Sequence, residues 1–177
     1  MRGKSLDLPP KVEDLTASDV KDLTQSILTN MPDSADTTCL FCKVVAGETS
    51  ARLVFADEIS LAFLDHRPVF PGHCLLIPRA HHETLGDLPA DLIGPFFRNA
   101  QLLSRAVESA LEAHGTFVAM NNRVSQSVPH LHVHVVPRRR KDGLRGFFWP
   151  RQHQSDTEAA AIQALIAAAI EDQKGLP

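Results

Sequence analysis

Between Gln126 and Pro137 the chain reads Gln-Ser-Val-Pro-His-Leu-His-Val-His-Val-Val-Pro, so His130, His132 and His134 alternate with Leu131, Val133 and Val135. Alternation by two is the period of a β-strand. It places the three imidazoles on one exposed face, about 6.7 Å between neighbours, and points the apolar residues into a core. Three of the nine histidines at strict alternation is not a chance pattern. Two chemistries use such a face. Histidines two apart on a strand ligate one metal ion, with a water in the remaining position. Alternatively, the central imidazole is a nucleophile aimed by its neighbours. Its pKa of about 6.5 leaves much of the ring neutral at physiological pH, and a hydrogen bond at one ring nitrogen decides which nitrogen attacks. Phosphorus is a suitable electrophile. A second constellation is Cys39-x-x-Cys42, a spacing of metal or redox chemistry rather than of a disulfide scaffold. The third cysteine, Cys74, lies in an apolar run and reads as a buried thiol.

The elements that position these residues follow from periodicity. Leu40 to Ala46 reads as a short helix, with Thr37 and Thr38 to cap it and Gly47 to stop it. Arg52 to Ala56 and Ser60 to Leu64 read as a hairpin across Asp57-Glu58, and Gly72 to Pro78 as a further strand. From Pro89 to His114, Leu92, Ile93, Phe96, Phe97, Ala100, Leu103, Val107 and Leu111 recur every three or four residues. That marks a long amphipathic helix, with Gly115 as its end. Strands at Thr116 to Met120 and His130 to Val136 and an alanine-rich helix from Asp156 to Gln173 complete an α+β domain. Three segments are expected: an acidic extension over 1–38 with one short helix at Ala17 to Leu28, a domain over 39–150, and a helical tail over 151–177.

At 177 residues, 44% hydrophobic and 22% charged, the chain has the size and composition of one soluble domain rather than of a disordered or fibrous protein. The net charge of -3 argues against an extended nucleic-acid surface. All of the acidic excess lies in residues 1–38. The longest apolar stretch, Ala159 to Ile170, is too short to span a bilayer, and the amino terminus has no apolar signal segment. With the unpaired cysteine count, this points to a reducing, cytoplasmic setting. Arg138, Arg139, Arg140, Lys141 and Arg145 follow the histidines directly and are expected to ring the mouth of the site, where they would attract polyphosphate.

His130-Leu131-His132-Val133-His134-Val135-Val136 resembles the signature of the histidine triad (HIT) superfamily of nucleotide hydrolases and transferases, His-φ-His-φ-His-φ-φ with φ apolar. The likeness extends over about Cys39 to Pro137. It includes Gln126-Ser127-Val128, the run Leu-Ala-Phe-Leu-Asp at 61–65, Pro-Gly-His at 71–73 and Ile-Pro-Arg-Ala-His at 77–81. The resemblance implies a HIT-like fold with a five-stranded antiparallel sheet, commonly a homodimer joined through the long helix and a sheet edge.

The resemblance also implies roles. His132 would attack the α-phosphorus of a nucleotide substrate to form a nucleotidyl-histidine, with the backbone carbonyl of His130 orienting it and His134 contacting phosphate. Ser127 and Gln126 would hydrogen-bond phosphate, and Asp65 would hold the ribose hydroxyls. Asn121 or Asn122 would reach phosphate or ribose, and Leu40, Phe41, Val44 and Phe63 would line the base pocket. A crowded set of donors stabilises charge spread over phosphoryl oxygens, and this arrangement demands no magnesium. In zinc-bearing branches, His81 and His130 stand where they complete a closed structural site with Cys39 and Cys42.

Gly146-Phe147-Phe148-Trp149-Pro150 is apolar and turn-rich, suited to closing over substrate or packing on a partner subunit. It lies farther past the triad than the Trp-Pro element of the phosphoramidase branch. The substrate therefore stays open between dinucleoside polyphosphates and nucleoside phosphoramidates. The alternatives are a nucleotidyl transferase acting on sugar phosphates and a nucleotide-binding interaction module with vestigial catalysis.

Overall fold

The structure, a computed structural model, describes residues 38–144 and 155–174. The expected helix at 17–28 and the 146–150 segment lie outside the described residues. The chain divides into two compact units, Met1–Arg140 and Lys141–Pro177.

In the first unit the order is α1 (Leu40–Val45), β1 (Leu53–Ala56), β2 (Ser60–Leu64), β3 (Cys74–Pro78), a single 3-10 turn at Leu85–Asp87, α2 (Ala90–Ala110), β4 (Gly115–Ala119) and β5 (Val133–Arg138). The five strands form one antiparallel sheet in the order β1-β2-β3-β5-β4. Alternation in β2 and β3 sends side chains to two separately packed faces. Ala62, Cys74 and Leu76 join Leu131, Val133 and Val135 against Phe96, Ala100, Leu103 and Val107 of α2. Leu61, Phe63, Leu75 and Ile77 pack against Phe41, Cys42, Val44 and Val45 of α1. All five residues of β3 are buried, as a strand covered on both faces must be.

The register sets where chemistry can sit. Leu75 pairs with His134 and Leu76 with Val133, so His134 stands on the α1 face while Val133 and Val135 fill the α2 core. The same alternation carries Asp65, two residues beyond Phe63, and His73, two before Leu75, onto the α1 face.

Several local expectations are corrected. The triad strand begins at Val133, three residues later than expected, because the backbone of His130 to His132 makes bonds outside the ladder, including Leu131 N–H to His82 O at 2.6 Å. The face carrying the histidines is covered by α1 rather than exposed, and His130 and His132 are 0% and 2% exposed. Helix α1 starts from Cys39 without any side-chain cap. Gly115 opens β4 rather than closing α2, whose last turn is capped at Leu111.

The basic run is also displaced. Six residues at about 3.3 Å each put Arg138 about 20 Å along the chain from His132. Arg138 pairs with Gly115, and the Arg139 guanidinium donates to the carbonyl oxygens of Leu111 and Glu112. The Arg139 side chain thus ties off the end of α2 instead of lining the triad.

In the second unit, α3 (Asp156–Lys174) opens on a reciprocal cap. Ser155 N–H donates to Glu158 Oε2 at 2.9 Å, and Glu158 N–H to Ser155 Oγ at 3.3 Å. Its Ile162, Leu165 and Ile166 are exposed. Among the described residues no helix is long and apolar enough to cross a membrane.

Gly72 makes the turn that delivers His73. Its φ is +91°, and a methyl group there would collide with the side chain of Leu111. Gly72→Ala is therefore expected to cost about 1–3 kcal/mol, read as a lower urea midpoint with an unchanged slope.

Candidate active site and metal cluster

The site is built where the end of β2, both ends of β3 and the start of β5 meet the short helix α1. His130 is its most constrained member. The ring Nε2–H donates to the carbonyl of Pro78 at 2.9 Å, since that oxygen can only accept. The Nδ1 lone pair therefore faces Cys39 Sγ at 3.5 Å and Cys42 Sγ at 3.6 Å. Burial holds His130 neutral, with its pKa lowered to about 4, mainly by desolvation and against the raising effect of the Pro78 bond.

His81, leaving β3, brings its Nδ1 to 3.3 Å from Cys42 Sγ, and its ring meets that of His130 edge-on with centroids 5.1 Å apart. One donor atom from each of Cys39, Cys42, His81 and His130 lies within 4.8 Å of the others. A tetrahedral zinc ion, with bonds of about 2.3 Å to sulfur and about 2.0–2.1 Å to nitrogen, sets neighbouring sulfur and nitrogen about 3.6 Å apart. Separations of 3.3 to 3.6 Å match that sphere, so the four residues fit a structural metal ion.

The backbone of His130 turns the other way. Its carbonyl oxygen accepts from His132 Nδ1 at 2.7 Å. A carbonyl has no proton to give, so Nδ1 of the neutral ring carries the hydrogen and Nε2 the free lone pair. Phe41 buttresses both rings edge-on, with centroids 6.0 Å from His130 and 5.3 Å from His132. His132 in turn meets His134 at 5.0 Å. The arrangement presents an oriented, water-shielded imidazole nitrogen. The His130 ring is sealed at 0% exposure, and the group that His130 offers to His132 is its backbone carbonyl.

His134 is partly exposed, and desolvation lowers its pKa to about 4, aided by the neighbouring His132. It is therefore a neutral hydrogen-bonding group at pH 7. Its Nδ1 lies 3.0 Å from Nε2 of His73, a residue given no individual role in the sequence reading. The signal for His73 was present: it follows the Pro-Gly turn and alternates with Leu75 and Ile77. Asp65 also joins this group, with Oδ2 3.4 Å from His73 Nδ1, while its Oδ1 accepts from Arg67 N–H at 2.8 Å in the turn after β2.

Leu40, Phe41, Val44 and Phe63 all line one cleft of about 490 Å³, together with Ser50 and Arg52. Phe41 and Phe63 pack edge-to-face at 5.5 Å. The loop before the triad is held differently. Gln126 is engaged in shaping it, accepting from Arg123 N–H at 2.6 Å and donating to Glu83 O at 2.6 Å and His130 O at 3.4 Å. The Asn121 amide donates to Ser125 O, and the Asn122 carbonyl accepts from Leu85 N–H. Ser127 is exposed.

The HIT domain family pattern matches residues 46–141. Protein hit of Bacillus subtilis is 35% identical over 132 residues, covering 73% of this chain and 90% of that protein. Adenylylsulfatase HINT3 of Arabidopsis thaliana is 30% identical, covering 72% and 67%. Adenosine 5'-monophosphoramidase HNT1 of Saccharomyces cerevisiae is 30% identical, covering 79% and 87%. Among solved structures, a HIT-family protein from Bacillus subtilis superposes with a TM-score of 0.67 at 33% identity, covering 78% of this chain and 97% of that one. A zinc-bound histidine triad protein from Mycobacterium smegmatis gives 0.58 at 35% identity, covering 75% and 97%. The chain belongs to the HIT domain family.

Proposed function

We propose that this protein is a nucleotide hydrolase or nucleotidyl transferase in which His132 attacks the α-phosphorus of an adenylylated or similarly nucleotidylated substrate. The observation that carries this reading is the 2.7 Å contact between His132 Nδ1 and the His130 carbonyl. The lone pair of Nε2 forms the new nitrogen–phosphorus bond as the bond from phosphorus to the leaving group breaks. The departing oxygen or nitrogen takes a proton, with the Ser127 hydroxyl as its donor in this reading. Water, or another acceptor in the transferase case, then displaces His132 from phosphorus and releases the nucleotide.

The supporting residues divide the work. His134, kept neutral by burial, meets a phosphoryl oxygen as a hydrogen-bond donor, adding to a preorganised set aimed at developing charge. Asp65 takes the ribose hydroxyls, and the base lies in the cleft between α1 and the β2 end, against Leu40, Phe41 and Phe63. Gln126 contributes chiefly by holding the loop that presents Ser127, with Asn121 beside it. The substrate class is supported by the two activities named among the relatives, adenylylsulfatase and adenosine 5'-monophosphoramidase. A homodimer joined through α2 and the outer edge of β4 belongs to the same reading, supported by β4 lying at the end of the sheet with Val118 exposed.

Cys39, Cys42, His81 and His130 would hold zinc, which supplies cross-linking of α1 to β3 and to the chain entering β5. Nothing in the proposed reaction passes through it.

His132→Asn is expected to lower kcat by about 10³-fold or more, measured with adenosine phosphoramidate, adenylyl sulfate and diadenosine polyphosphates. Adenosine monophosphate should bind the variant within a few-fold of the wild type, and unchanged turnover would refute the assignment. Chelation of the cysteine-bound metal is expected to lower the unfolding temperature, while turnover below the new midpoint persists. A metal-catalysed reaction would instead stop in a protein that remains folded.

A further inference from the structure

His73 is 3% exposed and has no part in the reaction proposed above, yet its ring lies between the turn after β2 and His134. It stands two residues before Leu75, and Leu75 pairs with His134, so the two imidazoles enter the same face of the sheet side by side. Their centroids are 5.1 Å apart.

Both ring nitrogens of His73 are engaged, each by a different partner. Val69 N–H donates to Nδ1 at 3.3 Å. A nitrogen that accepts a hydrogen bond carries no hydrogen in the neutral ring, so the hydrogen of His73 is on Nε2. That Nε2 stands 3.0 Å from Nδ1 of His134, which must therefore accept. The hydrogen of His134 is thereby placed on its own Nε2. Burial keeps the first ring neutral: desolvation lowers the pKa of His73, against the raising effect of Asp65, whose Oδ2 is 3.4 Å from Nδ1. A charged His73 would carry hydrogen at both nitrogens and lose the Val69 bond. The turn that offers the Val69 amide is itself tied down, with Arg67 N–H donating to Asp65 Oδ1 at 2.8 Å and His73 N–H to Phe70 O at 3.0 Å.

A neutral imidazole donates from one nitrogen only. With Nδ1 of His134 occupied, Nε2 is the nitrogen left for substrate. The other tautomer would turn a lone pair toward the phosphoryl oxygens and repel them. We propose that His73 is a positioning residue, which relays the direction of the Val69 amide to His134 and holds that ring as the tautomer that donates from Nε2. The proposal rests on the reading that His134 meets a phosphoryl oxygen, and it names the residue that makes His134 a donor there.

The test joins nitrogen-15 spectra of the imidazoles to kinetics, both on the full chain. In the substrate-free wild type, His134 should show a pyridine-type Nδ1 and a pyrrole-type Nε2. His73→Gln keeps an amide N–H able to reach Nδ1 of His134 and should preserve that spectrum and most of kcat. His73→Leu removes the donor. It should mix the His134 tautomers and lower kcat on adenosine phosphoramidate by about tenfold, while adenosine monophosphate binds within a few-fold of the wild type. The opposite His134 tautomer in the wild type, equal losses of kcat in the two variants, or a folded His73→Leu protein with unchanged kcat would each overturn the proposal. If His73→Leu does not fold, the wild-type spectrum decides. That spectrum needs no substrate, so failure of the proposed reaction, seen as unchanged turnover in His132→Asn, is told apart from failure of this assignment.

Discussion

His130 is bonded at both ends, and the geometry of the site depends on that double engagement. Its ring is fixed by the Pro78 carbonyl on one side and turned toward two thiols on the other. Its own carbonyl holds the Nδ1 hydrogen of His132. Each bond constrains the next. Pro78 ends β3, so the paired strands set where the His130 ring lies, and the peptide leaving that ring sets the tautomer of His132. The 2.7 Å bond is the shorter of two that the His130 carbonyl accepts, the other coming from Gln126 Nε2 at 3.4 Å, so the orientation of His132 is fixed by where the backbone places that oxygen.

Helix α1 shows why a metal-binding cluster and a nucleotide cleft share an element. Six residues are too few to form a helix without tertiary contacts. Cys39 and Cys42 face His81 and His130, Phe41 lies against His130 and His132, Val44 and Val45 enter the core, and Leu40 is left at the cleft wall. A change on the cysteine side is therefore transmitted through a rigid turn of helix to the ring that touches His132. On the opposite face, α2 packs on the strands through an apolar core.

Much of this was legible in the sequence because it rests on period and residue type. The alternation of Leu131, Val133 and Val135 with the histidines places the two sets on opposite sides of the strand, and the three- and four-residue recurrence of Leu92 to Val107 gives α2. What the period does not carry is what covers a face. Nothing in Leu40 to Val45 says which side of the sheet it will occupy, so the burial of His130 and His132 beneath it was not visible. Nor does local sequence show that the Arg139 side chain turns back to the end of α2, a contact set by the antiparallel pairing of β4 with β5. His73 was passed over for a related reason: its significance lies in a pairing with His134, 61 positions away.

The central claim is that the His130 carbonyl holds His132 as the tautomer protonated at Nδ1 with a free lone pair at Nε2. Two-bond nitrogen–proton correlation spectra of the imidazoles, with His132 assigned by substitution, read this directly. At pH 7 the account predicts a pyrrole-type shift at Nδ1 and a pyridine-type shift at Nε2. The opposite tautomer, or a ring protonated at both nitrogens, would contradict it.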